Sequence, residues 1–206
     1  MFFGLHQYIN SILPKIKGWW FKFLFSSKRL KIGRNFQCDT WPAIIVNKNA
    51  KIIIGDNILL RRNVELRAHG TSSILMKGDN RIDRGVRLLS ANNGVITLEN
   101  RVRIGLYSVL NGGDDIFIGE KSLISGFVYL QTSMHNHQKG AAVQDQGYSH
   151  GAVILKKDVW LGTHVVVLPN CVLEEGCVVG SNAVVTQSVN KGGIVGGIPA
   201  KTLKER

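Results

Sequence analysis

The sequence predicts an all-β solenoid, and a six-residue period near its C-terminus is the strongest evidence for this fold class. Aliphatic residues recur there at equal intervals of six, and a small or β-branched residue follows each of them by four positions. Helices repeat at about 3.6 residues and strands at about 2, so a period of six indicates a short strand followed by a corner. Three such units close one triangular coil, and stacked coils bury the aliphatic side chains. The aliphatic positions are Leu155, Leu161, Val167, Leu173, Val179 and Val185, and their companions are Val159, Val165, Cys171, Cys177, Ala183 and Val189.

Two further observations extend this prediction upstream. Aliphatic residues six positions apart continue in shorter blocks between Ile54 and Leu130, and a glycine often follows the aliphatic residue, as at Gly55 and Gly119. The phase changes between blocks, which indicates that some corners carry inserted residues. A β-sandwich with alternating strands is the alternative, and six consecutive positions in one register disfavour it.

The N-terminal segment, residues 1–27, predicts an amphipathic helix. Its apolar residues recur at spacings of three and four, and Pro14 predicts a kink or break. The segment is too interrupted to span a bilayer, which needs about 20 apolar residues. It also lacks the basic start, continuous apolar stretch and cleavage site of a secretory signal. The apolar positions are Leu5, Ile9, Ile12, Leu13, Ile16, Trp20, Phe23 and Leu24.

Two roles are open for this helix. Its lysines and the pair Trp19 and Trp20 are typical of a helix that lies in the headgroup layer of an anionic membrane. Alternatively, the helix packs against the solenoid or a partner subunit, because the open end of a solenoid needs a cover.

Residues 131–154 interrupt the period and predict an extruded loop. The stretch is polar, contains glycine and three histidines, and makes the interval from Leu130 to Leu155 one residue longer than a whole number of repeats. Loops that project from a rigid scaffold often carry function. We therefore expect an N-terminal segment at 1–27, a solenoid domain at 28–190 and a basic C-terminal tail at 191–206.

The composition favours an anionic partner and a reducing compartment. The chain has 26 Lys and Arg against 14 Asp and Glu, a net charge of +12, which suits a membrane surface, a phosphorylated cofactor or an acidic glycan. No nucleic-acid-binding motif supports nucleic acid as the partner. Three cysteines do not make a disulfide framework, so we expect a cytoplasmic protein, peripheral to the inner face of the membrane if the helix binds lipid.

The C-terminal repeats resemble a known family. The sequence from residue 159 reads VWLGTHVVVLPNCVLEEGCVVGSNAVVTQSV, and GGIPAK follows shortly afterwards. This pattern is similar to that of the hexapeptide-repeat acyltransferases, in the branch of galactoside, maltose and xenobiotic O-acetyltransferases and of bacterial enzymes that acetylate capsular, O-antigen and exopolysaccharide sugars. The resemblance covers about residues 52–204. It implies a left-handed parallel β-helix, a homotrimer with sites between subunits, acetyl-CoA as co-substrate and no metal.

The resemblance also implies site residues. His135, on the extruded loop, corresponds to the catalytic histidine, and Trp160 and Thr163 complete the catalytic group, with the Thr163 amide stabilising the oxyanion. Gly105 and Gly113 stand where the family has a sugar-contacting asparagine and aspartate, so the acceptor differs or is held otherwise. The implied acetyl-CoA contacts are Trp160, Gly162, Thr163, Gly180, Ser181, Thr186, Lys201 and Lys204.

Several of these residues have a second interpretation. His137 is the rival base and could instead orient the acceptor, and His150 and His164 suit structural or interfacial roles. Asn111 and Asp114 could bind substrate, but a corner turn explains them equally well. Trp160 could have a packing role alone, at a subunit interface. Lys201 and Lys204 could belong to a solvated tail.

Four functions follow from the sequence. The leading one is acetyl-CoA-dependent O-acetylation of a sugar hydroxyl on a bacterial surface glycan or its lipid-linked precursor, with a histidine as general base. An N-acetyltransferase acting on a nucleotide-linked amino sugar would use the same donor and base. A β-helix hydratase with histidine zinc ligands and a non-catalytic solenoid are the alternatives from other classes.

Overall fold

The computed structural model describes residues 2–206, except for the side chains of residues 2–7 and Asn10. Helix α1 spans Phe2–Phe25, and a parallel β-solenoid of seven coils follows it. The all-β solenoid and the N-terminal helix predicted from the sequence are therefore confirmed. The prediction that Leu5 belongs to the apolar stripe of the helix lies outside the described side chains. The sense of winding stays a prediction from the resemblance.

Each coil contributes three short strands, and a hairpin interrupts the series after the fifth coil. The first coil comprises β1 (Leu30–Ile32), β2 (Gln37–Cys38) and β3 (Ala43–Val46), and the second comprises β4 (Lys51–Asp56), β5 (Leu59–Leu60) and β6 (Glu65–Ala68). The third coil comprises β7 (Ser73–Gly78), β8 (Arg81–Ile82) and β9 (Arg87–Ser90), and the fourth comprises β10 (Val95–Leu98), β11 (Arg103–Ile104) and β12 (Val109–Gly112). The fifth coil comprises β13 (Ile116–Ile118), β14 (Leu123–Ile124) and β15 (Tyr129–Gln131), and the hairpin comprises β16 (Ser133–His135), a 3₁₀ turn (Val143–Asp145) and β17 (Tyr148–His150). The last two coils comprise β18 (Val153–Leu155), β19 (Trp160–Leu161), β20 (Val166–Val167); and β21 (Cys171–Leu173), β22 (Val178–Val179), β23 (Val184–Val185), and two terminal strands follow, β24 (Gly193–Gly196) and β25 (Lys201–Glu205).

The strands stack into three flat faces around one core. Face A contains β1, β4, β7, β10, β13, β18 and β21. Face B contains β2, β5, β8, β11, β14, β19, β22, β24 and β25, and face C contains β3, β6, β9, β12, β15, β20 and β23. The six-residue period arises because each strand directs its aliphatic residue inward, where Leu155, Leu161 and Val167 are completely buried.

The coils differ in length, and all the extra residues lie at one corner. In face A, Leu30 pairs with Ile52 and Ile52 with Ile74, so each of these coils has 22 residues. The coil that joins Ile116 to Val153 has 37 residues, whereas the one that joins Val153 to Cys171 has 18. Faces A to B and B to C keep the six-residue interval throughout. The insertions therefore occur where face C returns to face A, and this corner also carries the hairpin.

Helix α1 covers the open end of the first coil. Phe21 is buried, with its ring centroid 5.9 Å from that of Phe36 and 6.0 Å from that of Trp41. Lys17 Nζ donates a hydrogen bond to the Asp39 carbonyl (2.8 Å), and Lys22 Nζ donates to the Gly33 carbonyl (2.9 Å). These carbonyls belong to the exposed edge of the sheet, so the lysines satisfy acceptors that no further coil reaches. The packing role predicted for the helix is therefore observed.

The repeats continue further than the sequence predicted. The expectation that they stop after Val189 and leave only a basic tail was wrong, because β24 pairs in parallel with β22 on face B. Val195 is buried in the core, and β25 pairs antiparallel with β24 at the end of the face. The turn at residues 190–192 interrupts the six-residue period, so the period does not predict β24.

The cysteines are all buried and serve packing. Cys38, Cys171 and Cys177 are free thiols with almost no exposed surface. Burial raises the pKa of the Cys38 thiol to about 11, although Lys17 opposes the shift. A thiol with so high a pKa is not a nucleophile near neutral pH.

No helix in residues 2–206 combines the length and the hydrophobicity that crossing a bilayer requires.

Candidate active site

A short hairpin carries His135 out of the solenoid. Strands β16 and β17 pair antiparallel, with Ser133 opposite His150 and His135 opposite Tyr148. The hairpin leaves from the corner between β15 and β18, which is the long corner of the solenoid. The sequence predicted an extruded loop at residues 131–154, and the structure shows that its two ends form this ordered ladder.

The His135 ring is exposed and packs against one aromatic neighbour. Its centroid lies 4.2 Å from that of the Tyr148 ring, with the two planes tilted by 37°. His137 Nδ1 lies 3.2 Å from the His135 carbonyl oxygen, so the ring of His137 is engaged with the backbone. An exposed imidazole held by a neighbouring ring can reach a substrate hydroxyl while keeping its orientation.

The base of the hairpin is fixed by a serine–histidine contact above Gly113. Ser133 Oγ and His150 Nδ1 lie 2.9 Å apart. A Cβ at position 113 would overlap Ser133 Oγ and lie 3.1 Å from His150 Nδ1. The glycine found where the family has an aspartate therefore makes room for the hairpin.

This close approach yields a prediction for Gly113→Ala. The added methyl group displaces Ser133 and His150, and displacing a catalytic group by about 1 Å can cost up to about 100-fold in rate. We expect kcat to fall by about tenfold to a hundredfold, with an unchanged thermal unfolding temperature. The matched control is Gly78→Ala, because the nearest atom there is the side-chain oxygen of Asn100 at 3.0 Å, which can move. Equal activity of the two variants would contradict the prediction.

The residues near the hairpin that were predicted to bind the sugar acceptor make hydrogen bonds within the solenoid. The Asp114 amide donates to Thr132 Oγ1 (3.0 Å), and its carboxylate accepts the Asp115 amide (2.7 Å). Asn111 Nδ2 donates to the Tyr129 hydroxyl at 3.1 Å. At Gly105, a Cβ would lie 2.6 Å from the backbone of the next coil, which leaves no space for a side chain. The geometry favours the turn interpretation for Asp114.

A second group of predicted residues lies at the corner between faces B and C. Trp160 is 48% exposed on face B, and its Nε1 donates to Ser125 Oγ at 3.2 Å. Thr163 Oγ1 donates to the Gly126 carbonyl at 2.9 Å. Gly162 and Gly180 occupy equivalent positions in successive coils, and Ser181 lies beside Gly162.

The Thr163 amide lies at the corner between faces B and C. It donates no hydrogen bond within the described part of the chain. The following residue, His164, has a positive φ of 57°, whereas Thr163 does not, which defines a type II turn. An unpaired backbone donor at an exposed corner can stabilise a negatively charged oxygen.

The other residues predicted to contact acetyl-CoA lie away from the Thr163 corner. Thr186 follows β23 at the corner between faces C and A, on the same side as the hairpin. Lys201 and Lys204 are exposed on β25, at the end of face B.

One chain does not bring the two groups together. The width of face C separates the Thr163 corner from the root of the hairpin. Residues 126–132 cross this face in the fifth coil, which corresponds to about 20 Å at about 3.3 Å per residue.

An aromatic column, absent from the predicted site, lies at the Thr163 corner. The rings of Tyr107 and Phe127 stack at 5.5 Å, and those of Phe127 and His164 at 4.9 Å. All three residues have positive φ and follow the same corner in successive coils. Each occupies the position three residues after an inward aliphatic, so counting from the period would have found the column.

Over the described residues, no three His, Cys, Asp or Glu side chains converge closely enough to hold a metal ion.

Comparison with known proteins assigns the chain to a family. Residues 152–187 match the model of the bacterial transferase hexapeptide (six repeats). A putative lipopolysaccharide biosynthesis O-acetyl transferase of Escherichia coli K12 is 30% identical over 129 residues, covering 59% of this chain and 66% of that protein. The chain belongs to the hexapeptide-repeat transferase family.

Other relatives and structures agree with this family. A probable acetyltransferase of Mycobacterium tuberculosis is 30% identical over 164 residues, or 77% of this chain and 53% of that protein. The chain thus spans between about half and two thirds of the two relatives. An N-acyltransferase from Bacillus cereus, solved with dTDP and coenzyme A, has the same fold, with a TM-score of 0.59, 24% identity and coverage of 85% and 83% of the two chains.

Proposed function

We propose that the protein transfers an acetyl group from acetyl-CoA to a hydroxyl of a bacterial surface glycan or its lipid-linked precursor. The observation that carries this proposal is the exposed His135 ring, held against Tyr148 on a hairpin that projects from a hexapeptide-repeat solenoid. The relative from Escherichia coli, an O-acetyl transferase by name, supports the oxygen acceptor.

His135 acts as general base in this proposal. The acceptor hydroxyl loses its proton to the imidazole as its oxygen attacks the thioester carbonyl. The tetrahedral intermediate then collapses, the carbon–sulfur bond breaks, and the imidazolium returns the proton to the leaving thiolate. An imidazole suits both transfers because its ordinary pKa lies near neutral pH.

The donor binds along the other group of residues. The Thr163 amide stabilises the oxyanion of the intermediate, and Trp160 shapes the acyl groove. Small groups at Gly180 and Ser181 leave space for the pantetheine arm, and Gly162 lets Ser181 of the next coil lie close beside it. Thr186 lies at the hairpin corner, so it extends the groove from the subunit that contributes His135, and Lys201 and Lys204 neutralise the phosphates of the nucleotide.

A complete site needs two copies of the chain. Since about 20 Å of face C separates His135 from Thr163 within one chain, the hairpin of one subunit must meet the Thr163 corner of another. A homotrimer provides three such sites, and the exposed column of Tyr107, Phe127 and His164 lies beside this interface.

The second candidate is N-acylation of a nucleotide-linked amino sugar. The fold shared with the Bacillus cereus N-acyltransferase favours it, and the same base and donor residues would serve.

Product analysis tests the proposal. The full chain is incubated with acetyl-CoA and either surface glycan, its lipid-linked precursor or an amino-sugar nucleotide, and the products are examined by mass spectrometry before and after mild alkali. We expect an acetylated glycan that alkali deacetylates, because esters hydrolyse where amides survive. An alkali-stable product would establish the N-acyl alternative, and no transfer to any acceptor would reject acyl transfer.

A further inference from the structure

Helix α1 has a second face whose apolar side chains are exposed. This outer face, defined by Tyr8, Ile9, Ile16, Trp19, Trp20 and Phe23, is turned away from the solenoid, while Phe21 plugs the core on the opposite side. Trp19 is 59% exposed and Phe23 is 68% exposed, and their rings stack at 5.7 Å. Several large apolar side chains exposed together on one helix face mark an interaction site.

The same end of the molecule carries most of the positive charge. Residues 2–67, which form α1, the first coil and most of the second, contain 12 Lys and Arg and 3 Asp and Glu, or +9 of the total +12. No acidic residue precedes Asp39. Because Lys17 and Lys22 are directed to solenoid carbonyls, the free cations nearest the outer face are Lys15, Lys28 and Arg29, all exposed.

A groove beside the outer face combines both properties. It is lined by apolar side chains, Ile16 and Trp19, and by the cations Lys15, Lys22 and Arg34. Asp56 also lines the groove and pairs with Arg34 at 2.6 Å, and Lys22 donates to the Gly33 carbonyl, so Lys15 is the cation in the groove that is left for a ligand. An anionic phospholipid offers the matching combination, a phosphate beside acyl chains.

We propose that the outer face of α1 docks on an anionic lipid bilayer and seats the solenoid on it end-on. The charge distribution selects a bilayer over a second copy of this chain, because two ends of like charge repel each other whereas an anionic leaflet attracts both the cations and the apolar face. Exposed tryptophans are typical of the membrane–water interface. End-on seating follows because α1 crosses the end of the first coil, from the Gly33 corner to the Asp39 corner.

End-on seating fixes the height of the active site, a step that rests on the proposed function. The hairpin of His135 leaves from the fifth coil, four coils beyond the first. Neighbouring strands are about 4.8 Å apart, so the hairpin stands about 19 Å above the first coil. A lipid-linked acceptor must therefore carry several sugars for its hydroxyl to reach His135. A single sugar attached directly to a membrane-bound phosphate lies too low.

Vesicle flotation tests the docking. Full-length protein is mixed with vesicles of phosphatidylcholine alone or with added phosphatidylglycerol. We expect flotation with the anionic vesicles, weakened by salt, and at least about tenfold weaker binding by the triple variant W19Q/W20Q/F23Q. The control is Ile45→Gln, an exposed apolar residue on face C outside the helix, which should bind like the unchanged protein. Circular dichroism checks that the variants stay folded.

Three results would overturn the docking proposal. The unchanged protein could fail to float with anionic vesicles, the triple variant could float equally well, or the substitutions could break a larger assembly, which would make the outer face a protein contact. None of these depends on acyl transfer, and the triple variant should keep full activity on soluble acceptor. Vesicle-bound enzyme should acetylate polyprenyl-diphosphate acceptors with several sugars but not with one, and equal rates would reject end-on seating.

Discussion

Replacing His135 with alanine is expected to lower kcat by about 10²- to 10⁴-fold, because the acceptor hydroxyl loses its general base. The KM for acetyl-CoA should change little, since the proposed acetyl-CoA contacts do not include the His135 ring. Steady-state kinetics with a saturating acceptor measures both constants. The ring is exposed and its closest aromatic contact is Tyr148, so the substitution removes chemistry with little loss of packing.

The neighbouring histidines provide the controls for this prediction. His137→Ala removes a ring that is engaged with the His135 carbonyl and should reduce kcat by less than about tenfold. Added imidazole should restore part of the activity of His135→Ala, because the vacated position is open to solvent. If His135→Ala keeps nearly full activity and His137→Ala does not, His137 is the base.

The core of the solenoid was predictable because burial imposes the six-residue period directly. Nearly every strand directs an aliphatic residue inward, as Leu161, Val167 and Leu173 do, and β2 directs Cys38 inward instead. The length of the coils was not predictable in the same way, because residues inserted at the corner between faces C and A never enter the core. The sequence records them only as changes of phase.

The hydrogen-bond partners of the helix lysines also could not be predicted from the sequence. Lys17 and Lys22 look like part of a basic membrane-binding stripe, yet both donate to backbone carbonyls of the first coil. Phe21, one of the apolar residues of the same helix, is buried at the end of the core. Deleting residues 1–27 would therefore uncover the solenoid, and substitutions on the outer face separate membrane binding from folding.

The position of His135 in the fold could be predicted, whereas the contacts around it could not. The resemblance assigned His135 to the extruded loop, and the structure places it on β16. The contact between Ser133 and His150 could not be anticipated, because it joins residues 17 positions apart across a hairpin whose register only the fold reveals. The sequence showed only that Gly113 replaces a sugar-contacting aspartate of the family. The structure shows that a glycine there leaves room for Ser133 of the hairpin.

The oxyanion assignment is tested most directly by Thr163→Pro, which removes the backbone N–H. Proline suits the position, since Thr163 is the second residue of a type II turn, where proline is common. The chain already contains such a corner, with Pro169 followed by Asn170 at a φ of 65°. Loss of one oxyanion donor typically lowers kcat by about 10²- to 10³-fold, and we expect a fall of that size.

Thr163→Ala is the matched control for this experiment. It keeps the amide and loses the contacts of Oγ1 with the Gly126 carbonyl and His164 Nδ1, so its kcat should stay within about threefold of the original. Both variants should unfold at nearly the same temperature, because the amide has no partner to lose in the described chain. A proline variant as active as the alanine variant would show that the oxyanion is stabilised elsewhere. A loss shared equally by both would instead assign the effect to the hydroxyl, because alanine retains the backbone donor that the proposed mechanism requires.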